Sequence, residues 1–192
     1  MLSELVRRGY QYDASTFPTW IGGVARAYYF RTARLDAAER AERADLFGGA
    51  RDGLRPIAPY RWRLGASTLL EIPVTTLPWL RVPIHLSYIL FLAAHSPLVA
   101  RAYFRSALGM CRLAGVEPSI LLHPLDFLGA DDVDALPFFP GMQLAGARKR
   151  EHVAWALGEL ASQFRVVPMG EHAQALEDRG GLAERGPDFA SD

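Results

Sequence analysis

Hydrophobic and polar positions along this chain repeat with two different periods, and the changes from one to the other outline its elements. Leu2, Leu5 and Val6 fall on one face of a short amphipathic helix that Gly9 closes. A short strand follows over Tyr10 to Tyr12, then a loop containing Asp13, Ser15, Thr16 and Pro18. The Ala-, Glu- and Arg-rich stretch from Asp36 to Phe47 predicts a surface helix with a narrow apolar stripe. Asp36 is its N-cap, and Gly48 and Gly49 follow it. Leu69 to Thr75 reads as a strand, with Pro73 suited to an edge or a bend. Val82 to Ala100 is the most apolar stretch. Pro83, His85, His95 and Pro97 interrupt it, so it reads as buried chain, with an interfacial membrane contact as the alternative.

Pro97 opens a helix whose apolar side is marked by Val99, Tyr103, Met110 and Leu113 and which Gly115 ends. Ser119 to Leu122 predicts a compact strand running into His123 and Pro124, followed by an acidic loop with Asp131, Asp132 and Asp134. The last long helix covers Ala147 to Phe164, with Val153, Leu157, Leu160 and Phe164 on its buried face. A closing strand over Arg165 to Pro168 precedes one or two helical turns from Glu171 to Leu176. From Glu177 onward glycine and charge dominate, which predicts one domain over residues 1–176 and a disordered tail over 177–192. Strands alternating with helices imply an α/β architecture with a mostly parallel sheet.

Composition adds limits rather than a function. The chain is long enough for one domain, and half of its residues are hydrophobic, so it is globular. A formal net charge of zero argues against nucleic-acid binding driven by bulk positive charge. The cationic residues are arginines except Lys149; arginine pairs carboxylates and phosphates bidentately, and a genomic base bias gives the same pattern. The single cysteine, Cys111, excludes an internal disulfide framework and a cysteine-based zinc site. Met1 to Arg8 lacks the apolar core of a secretory signal, so the expected location is cytoplasmic.

The best chemical candidate is His123. In α/β folds chemistry gathers at the carboxyl ends of strands, and His123 stands at the end of an apolar run, before a proline and a loop. A histidine there can give or take a proton near neutral pH; the alternative is a histidine that only hydrogen-bonds a loop. No Gly-x-Ser-x-Gly or phosphate-loop pattern occurs.

Three segments carry a family likeness. Leu121-Leu122-His123-Pro124-Leu125-Asp126-Phe127 resembles the late L-x-H-P motif of the polysaccharide deacetylase (NodB-homology, carbohydrate esterase) family. Gly9-Tyr10-Gln11-Tyr12-Asp13-Ala14-Ser15-Thr16-Phe17-Pro18 is similar to the G-Y-x-Y-D-S-S-x-x-P element after that family's third motif. Leu69-Leu70-Glu71-Ile72-Pro73-Val74-Thr75 is similar to its L-x-E-I-P-V strand, and Arg165 to Ala173 fits its ending. The likeness spans Leu2 to about Leu176 and covers the family's C-terminal portion only. It implies a partial, distorted (β/α) barrel lacking its N-terminal strands.

The resemblance also implies metal-dependent hydrolysis of N- or O-acetyl groups on a carbohydrate substrate. His123 carries over as general acid or transition-state stabiliser, and Leu121 or Leu122 as a wall of the acetyl pocket. Glu71 is a candidate to orient a substrate hydroxyl, against a structural role in its strand. The family's Asp-Asp base and metal motif, its His-x-x-x-His ligand pair and its arginine motif are absent, so the chain has no metal ligands of its own. A divalent metal, zinc or similar, is expected only where those motifs exist, and the chain alone should not deacetylate efficiently. Missing early strands would leave a sheet edge that invites a protein partner or aggregation. The alternative reading is a non-catalytic remnant that binds glycan or protein.

Other residues have two readings each. Asp126 caps a turn or holds the His123 loop, and Asp13 with Ser15 forms an Asx-type turn or lines a sugar cleft. Trp20, Tyr28, Tyr29 and Phe30 are core or stack on sugar rings, and Trp62 and Trp79 stand beside Arg61, Arg63 and Arg81, which suit an anionic glycan. His85 and His95 read as core histidines, His152 and His172 as exposed ones.

Overall fold

In the computed structural model, residues 1–32, 50–133, 136, 139 and 141–187 are described. The helix expected over Asp36 to Phe47 lies outside them. The described residues form a mixed α/β fold with a four-stranded open sheet. Helix α1 (Leu2–Arg7) ends at Gly9, whose φ of 76° lets its N–H reach the carbonyl of Val6. Strand β1 is Tyr12–Asp13, slightly later than the pattern predicts. Helix α2 is Gly22–Thr32.

Strand β3 (Ser67–Glu71) takes up the first part of the strand expected over Leu69 to Thr75, and β2 (Tyr60–Leu64), which the hydrophobic pattern left unassigned, pairs with it in a hairpin. Its two-residue loop is Gly65–Ala66, with Gly65 at φ 68°, the residue that a type II′ turn needs first. The signal was present in the alternation Tyr60, Trp62, Leu64, with Arg61 and Arg63 between. Strand β4 (Glu184–Arg185) runs parallel to β2, and β1 runs parallel to β3, giving the order β1-β3-β2-β4. With β2 and β3 antiparallel, the sheet is mixed; the expectation of a mostly parallel sheet is corrected. The tight hairpin is the reason, since adjacent strands joined by two residues can only pair antiparallel.

Alternation along the hairpin gives the sheet two covered faces. Tyr60, Trp62 and Leu69 pack against Leu2, Leu5 and Val6 of α1. Leu70 and Ile72 pack against Ala173 and Leu176 of the C-terminal helix α6 (Met169–Arg179). Arg61 reaches the carboxylate of Glu177 on that helix. The expected disordered stretch from Glu177 therefore differs from the structure: α6 continues to Arg179, and β4 pairs after it. The expected strand over Arg165 to Pro168 is not formed either; that segment is the irregular lead into α6.

A second, all-helical core stands beside the sheet. It is made by α3 (Leu86–His95), α4 (Pro97–Leu113) and α5 (Gly146–Gln163), through Ile89, Leu90, Phe104, Leu108, Val153, Ala156 and Leu160. Ser96 caps α4 by accepting the N–H of Val99 at 3.4 Å, and Pro97 takes the first turn as expected. The buried face of α4 is Ala100, Phe104, Ala107, Leu108 and Cys111, while Val99 and Leu113 are exposed. On α5, Leu157 is likewise partly outside, and Lys149 lies fully inside. The stretch Val82 to Ala100 supplies buried chain, and no helix among the described residues is long and apolar enough to cross a membrane.

The acidic loop has a structural use. Asp131 Oδ1 accepts the backbone N–H of Gly146 at 2.7 Å, which satisfies a free donor at the start of α5. Asp132 Oδ2 accepts the N–H of Gly129 at 2.9 Å. Gly129 sits so close that a β-carbon there would lie 2.2 Å from the Gly146 nitrogen and 2.5 Å from the Leu144 carbonyl oxygen. Both neighbours are backbone and cannot swing away. Gly129→Ala is expected to destabilise the fold by about 1–3 kcal/mol, the usual cost of overpacking. Urea unfolding checks this, and an unchanged midpoint would show that the loop moves freely.

Candidate functional site

The expected strand Ser119 to Leu122 is instead an extended segment without regular pairing. Thr75, just beyond β3, holds it at one point: the N–H of Thr75 donates to the Ser119 carbonyl at 3.0 Å, and Thr75 Oγ1 accepts the Ser119 N–H at 2.7 Å. A second tie runs from the Leu86 N–H to the Leu121 carbonyl at 3.3 Å. These contacts bring His123 against the start of α3. Pro124–Asp126 then forms one 3-10 turn, opened by proline where its missing N–H costs nothing.

Asp126 is fully buried in that turn. Its Oδ2 accepts the His123 backbone N–H at 2.7 Å, so the capping role read for it is present. Its Oδ1 accepts the hydroxyl proton of Ser87 at 2.6 Å. Ser87 Oγ also lies 3.0 Å from His123 Nδ1. A hydroxyl has one proton, and a carboxylate has none to give. With Asp126 ionised, Ser87 spends its proton on Asp126 and accepts from His123, so the neutral imidazole carries its proton on Nδ1. Nε2 is then the free base. The His123 side chain is 40% exposed, which leaves the ring open to a reactant while Ser87 behind it is buried.

Two further side chains frame this relay. His85 caps α3, its Nδ1 accepting the Tyr88 N–H at 3.4 Å, and its ring meets that of His123 edge-on with centroids 6.3 Å apart. Burial, with the nearby His123 charge adding to it, pushes His85 down to about 4, so it stays neutral across the physiological range. Lys149 comes from α5 and is fully buried; its Nζ donates to the Leu125 carbonyl at 2.9 Å, inside the His123 turn. Phe139 touches the His123 ring from another side, with centroids 5.9 Å apart.

The candidates read from sequence divide. Leu121 and Leu122 flank His123, and each is 39% exposed, so both present apolar surface beside the imidazole. Glu71 is elsewhere and fully buried. Its two oxygens accept the Thr16 N–H at 3.0 Å and the Trp62 Nε1–H at 2.8 Å. A carboxylate so occupied cannot orient a substrate hydroxyl, so that expectation is corrected in favour of the structural role. Asp13 accepts the Ser15 hydroxyl at 2.8 Å, the local turn rather than a cleft. Ser87 and Lys149 were missed. Nothing local marks Ser87, but Lys149 sits at helical spacing with Val153, Ala156 and Leu160, a lone charge on an apolar stripe.

Glu71 carries a pH signature. Burial raises its pKa above the ordinary carboxylate range, and the Trp62 and Thr16 hydrogen bonds offset only part of that. A raised folded-state value contributes stability that is fully present below the unfolded pKa and is lost as pH rises through the folded one. Wild-type stability is therefore expected to decline over that interval. Glu71→Gln should flatten this decline and cost about 1–3 kcal/mol in acid, because one donor loses its partner. Urea titrations at several pH values check it; parallel curves for the two proteins would refute it.

The metal implied by the family likeness does not fit the residues described. His123 Nδ1, His85 Nδ1 and both Asp126 oxygens are already engaged, and among the described residues no three His, Cys, Asp or Glu side chains gather closely enough to hold an ion. The fold and site together define a mixed α/β protein with a half-exposed histidine hydrogen-bonded through Ser87 to the buried Asp126. Comparison with family models, with curated proteins and with solved structures finds no match to any of them.

Proposed function

We propose that this chain is the C-terminal portion of a carbohydrate deacetylase of the polysaccharide deacetylase type, in which His123 protonates the leaving amine of an N-acetylated sugar. The observation that carries this reading is the Asp126–Ser87–His123 hydrogen-bond chain at the L-x-H-P segment, with Nδ1 engaged by Ser87 and Nε2 left as the position at which the ring, as imidazolium, would carry the proton it gives to the amine. An amine leaves slowly as an anion, and a positioned acid removes that barrier. Leu121 and Leu122, each exposed next to His123, would contact the acetyl methyl, and the distorted barrel of that family is the fold that this reading extends. Water activation belongs to the Asp-Asp and His-x-x-x-His motifs, which these residues do not contain.

A non-catalytic glycan-binding role is the second reading. It is favoured by the exposed Trp79, held at φ 63° on a turn that Thr19 ties down by donating its hydroxyl to the Arg81 carbonyl at 2.8 Å. An aromatic ring fixed in the open is suited to stack on a pyranose face.

The test uses the protein as its own cell makes it. Its intact mass and N-terminal peptide are measured, and acetate release from an N-acetylated oligosaccharide is followed with and without a chelator. A product carrying the two missing motifs, releasing acetate in a chelator-sensitive way, supports the deacetylase. A product that begins at Met1, binds the oligosaccharide and releases no acetate overturns it in favour of the second reading.

A further inference from the structure

The helical core carries a cavity of about 300 Å³ where the end of α3, the start of α4 and the first turns of α5 meet. None of its lining residues belongs to the His123 site. Ala93, Pro97 and Leu144 make its apolar side, and apolar atoms dominate the lining. Its polar side chains are Arg101 of α4 and Arg148, Glu151 and His152 of α5.

These charges do not cancel. Arg148 pairs with Glu151 at 2.9 Å. Arg101 has no carboxylate within ion-pair distance among the described residues. Its guanidinium carbon lies 5.2 Å from the centroid of the Trp155 ring. Arg105 shares that ring at 5.6 Å, but Glu159 matches its charge at 2.9 Å. The indole therefore holds Arg101 in place without neutralising it. His152 is partly buried. Burial first, then the Arg101 charge, lowers its pKa; Glu151 opposes this and Arg148 adds to it. With the imidazole neutral, two guanidiniums against one carboxylate leave the cavity a single positive charge.

We propose that this cavity binds a small carboxylic acid in its anionic form, with the carboxylate on Arg101 and an apolar body against Ala93, Pro97 and Leu144. A guanidinium presents a planar fork of N–H donors that matches a carboxylate in bidentate fashion. One unmatched charge suits a monoanion. A phosphate monoester is nearly a dianion at neutral pH and would bring one negative charge too many. The size agrees, since about 150 Å³ holds a benzene ring and a cavity twice as large adds room for a short chain and the carboxylate. Arg101 is already fixed by Trp155, so little side-chain freedom is lost on binding.

Two consequences follow from the place of the cavity. The charged groups that face His152 are Arg101 on α4 and Arg148 and Glu151 on its own helix, while α3 contributes only Ala93 to the lining. A bound carboxylate adds a negative charge among them, which favours the imidazolium and moves the His152 titration upward. The ligand also touches all three core helices, so it stabilises the folded chain by mass action.

The test uses 3-phenylpropanoate as probe, with the neutral 3-phenylpropanamide and inorganic phosphate as comparators. Calorimetry reads affinity, and NMR titration of the histidine rings reads the place of binding, with His172 as reference. Saturable binding on the order of 1 mM or tighter is expected for a probe this small. The His152 midpoint should rise on binding while that of His172 stays still. Arg101→Met should weaken binding roughly 10–100-fold, the loss of hydrogen bonds between charged groups. The amide should bind the wild-type protein as weakly. Arg105→Met removes the other cation from Trp155 and should leave the affinity nearly unchanged.

No saturation at about ten times that concentration overturns the proposal, and so does a His152 ring that titrates alike with and without the probe. Phosphate or the amide bound as tightly as the carboxylate overturns the ligand class. Equal losses in Arg101→Met and Arg105→Met would show that packing around Trp155 governs the cavity, which overturns it too. Both arginines are exposed, so both variants are expected to fold. Should Arg101→Met not fold, the comparators and the wild-type His152 titration still decide. Acetate release enters none of these outcomes, so the cavity and the deacetylase reading stand or fall separately.

Discussion

On the proposed deacetylase reading, replacing His123 by alanine is expected to lower acetate release about 10²–10⁴-fold, the range general acid–base catalysis supplies. The loss should lie in kcat rather than KM, since the proton moves to the leaving nitrogen only as the bond breaks. The fold should barely notice. The imidazole is 40% exposed, and after its removal Ser87 keeps its bond to Asp126 and Asp126 keeps the backbone N–H of residue 123. Stability is therefore expected to change by no more than about 1 kcal/mol. The pairing of a large kinetic loss with a small stability loss is what separates this from a structural histidine. A variant retaining activity within a fewfold of wild type would remove His123 from the chemistry, and a variant that unfolds would make it a loop anchor.

His123 was legible because its evidence is local: an apolar run, a histidine, a proline, a loop. Its partners were not. Ser87 is 36 residues earlier, and Lys149 donates to a carbonyl 24 residues before it in the chain. Only the crossing of α3 and α5 brings them together, and periodicity says nothing of which helix crosses which. The same distinction runs through the fold. Helix α5 was readable from its stripe, yet the buried face of α4 was misplaced because Ala100 and Ala107 carry little hydrophobic weight while Val99 and Leu113, apolar and prominent, face solvent. The β2–β3 hairpin was hidden by Arg61 and Arg63, although one of those arginines serves the sheet by reaching Glu177. Ser119 to Leu122 looked like a strand for the opposite reason. Its residues are apolar enough, but among the described residues its hydrogen bonds run only to Thr75 and Leu86, and a ladder needs a continuous partner.

Phe104→Ala is expected to cost about 3–5 kcal/mol, the usual range for emptying a large aromatic site in a core. Phe104 is 1% exposed at the crossing of α3, α4 and α5, and its ring meets that of Trp155 edge-on with centroids 6.0 Å apart. Leu90, Leu108 and Val153 of the same core are themselves buried. A domain of this size has about 5–15 kcal/mol in all, so one substitution removes a large share. Urea unfolding should show a lower midpoint with an unchanged slope, and a loss below about 1 kcal/mol would mean that the three helices close over the gap. The consequence reaches the site. Ser87 and His85 ride on the start of α3 and Lys149 on α5, and this core sets the distance between those helices. In the fraction of Phe104→Ala that remains folded, the Ser87–Asp126 and Ser87–His123 hydrogen bonds should persist, because those three residues are unchanged. Stability and site geometry would then be separate properties of one interface: the aromatic core holds the helices together, and the Asp126–Ser87 hydrogen bond holds the histidine beside them.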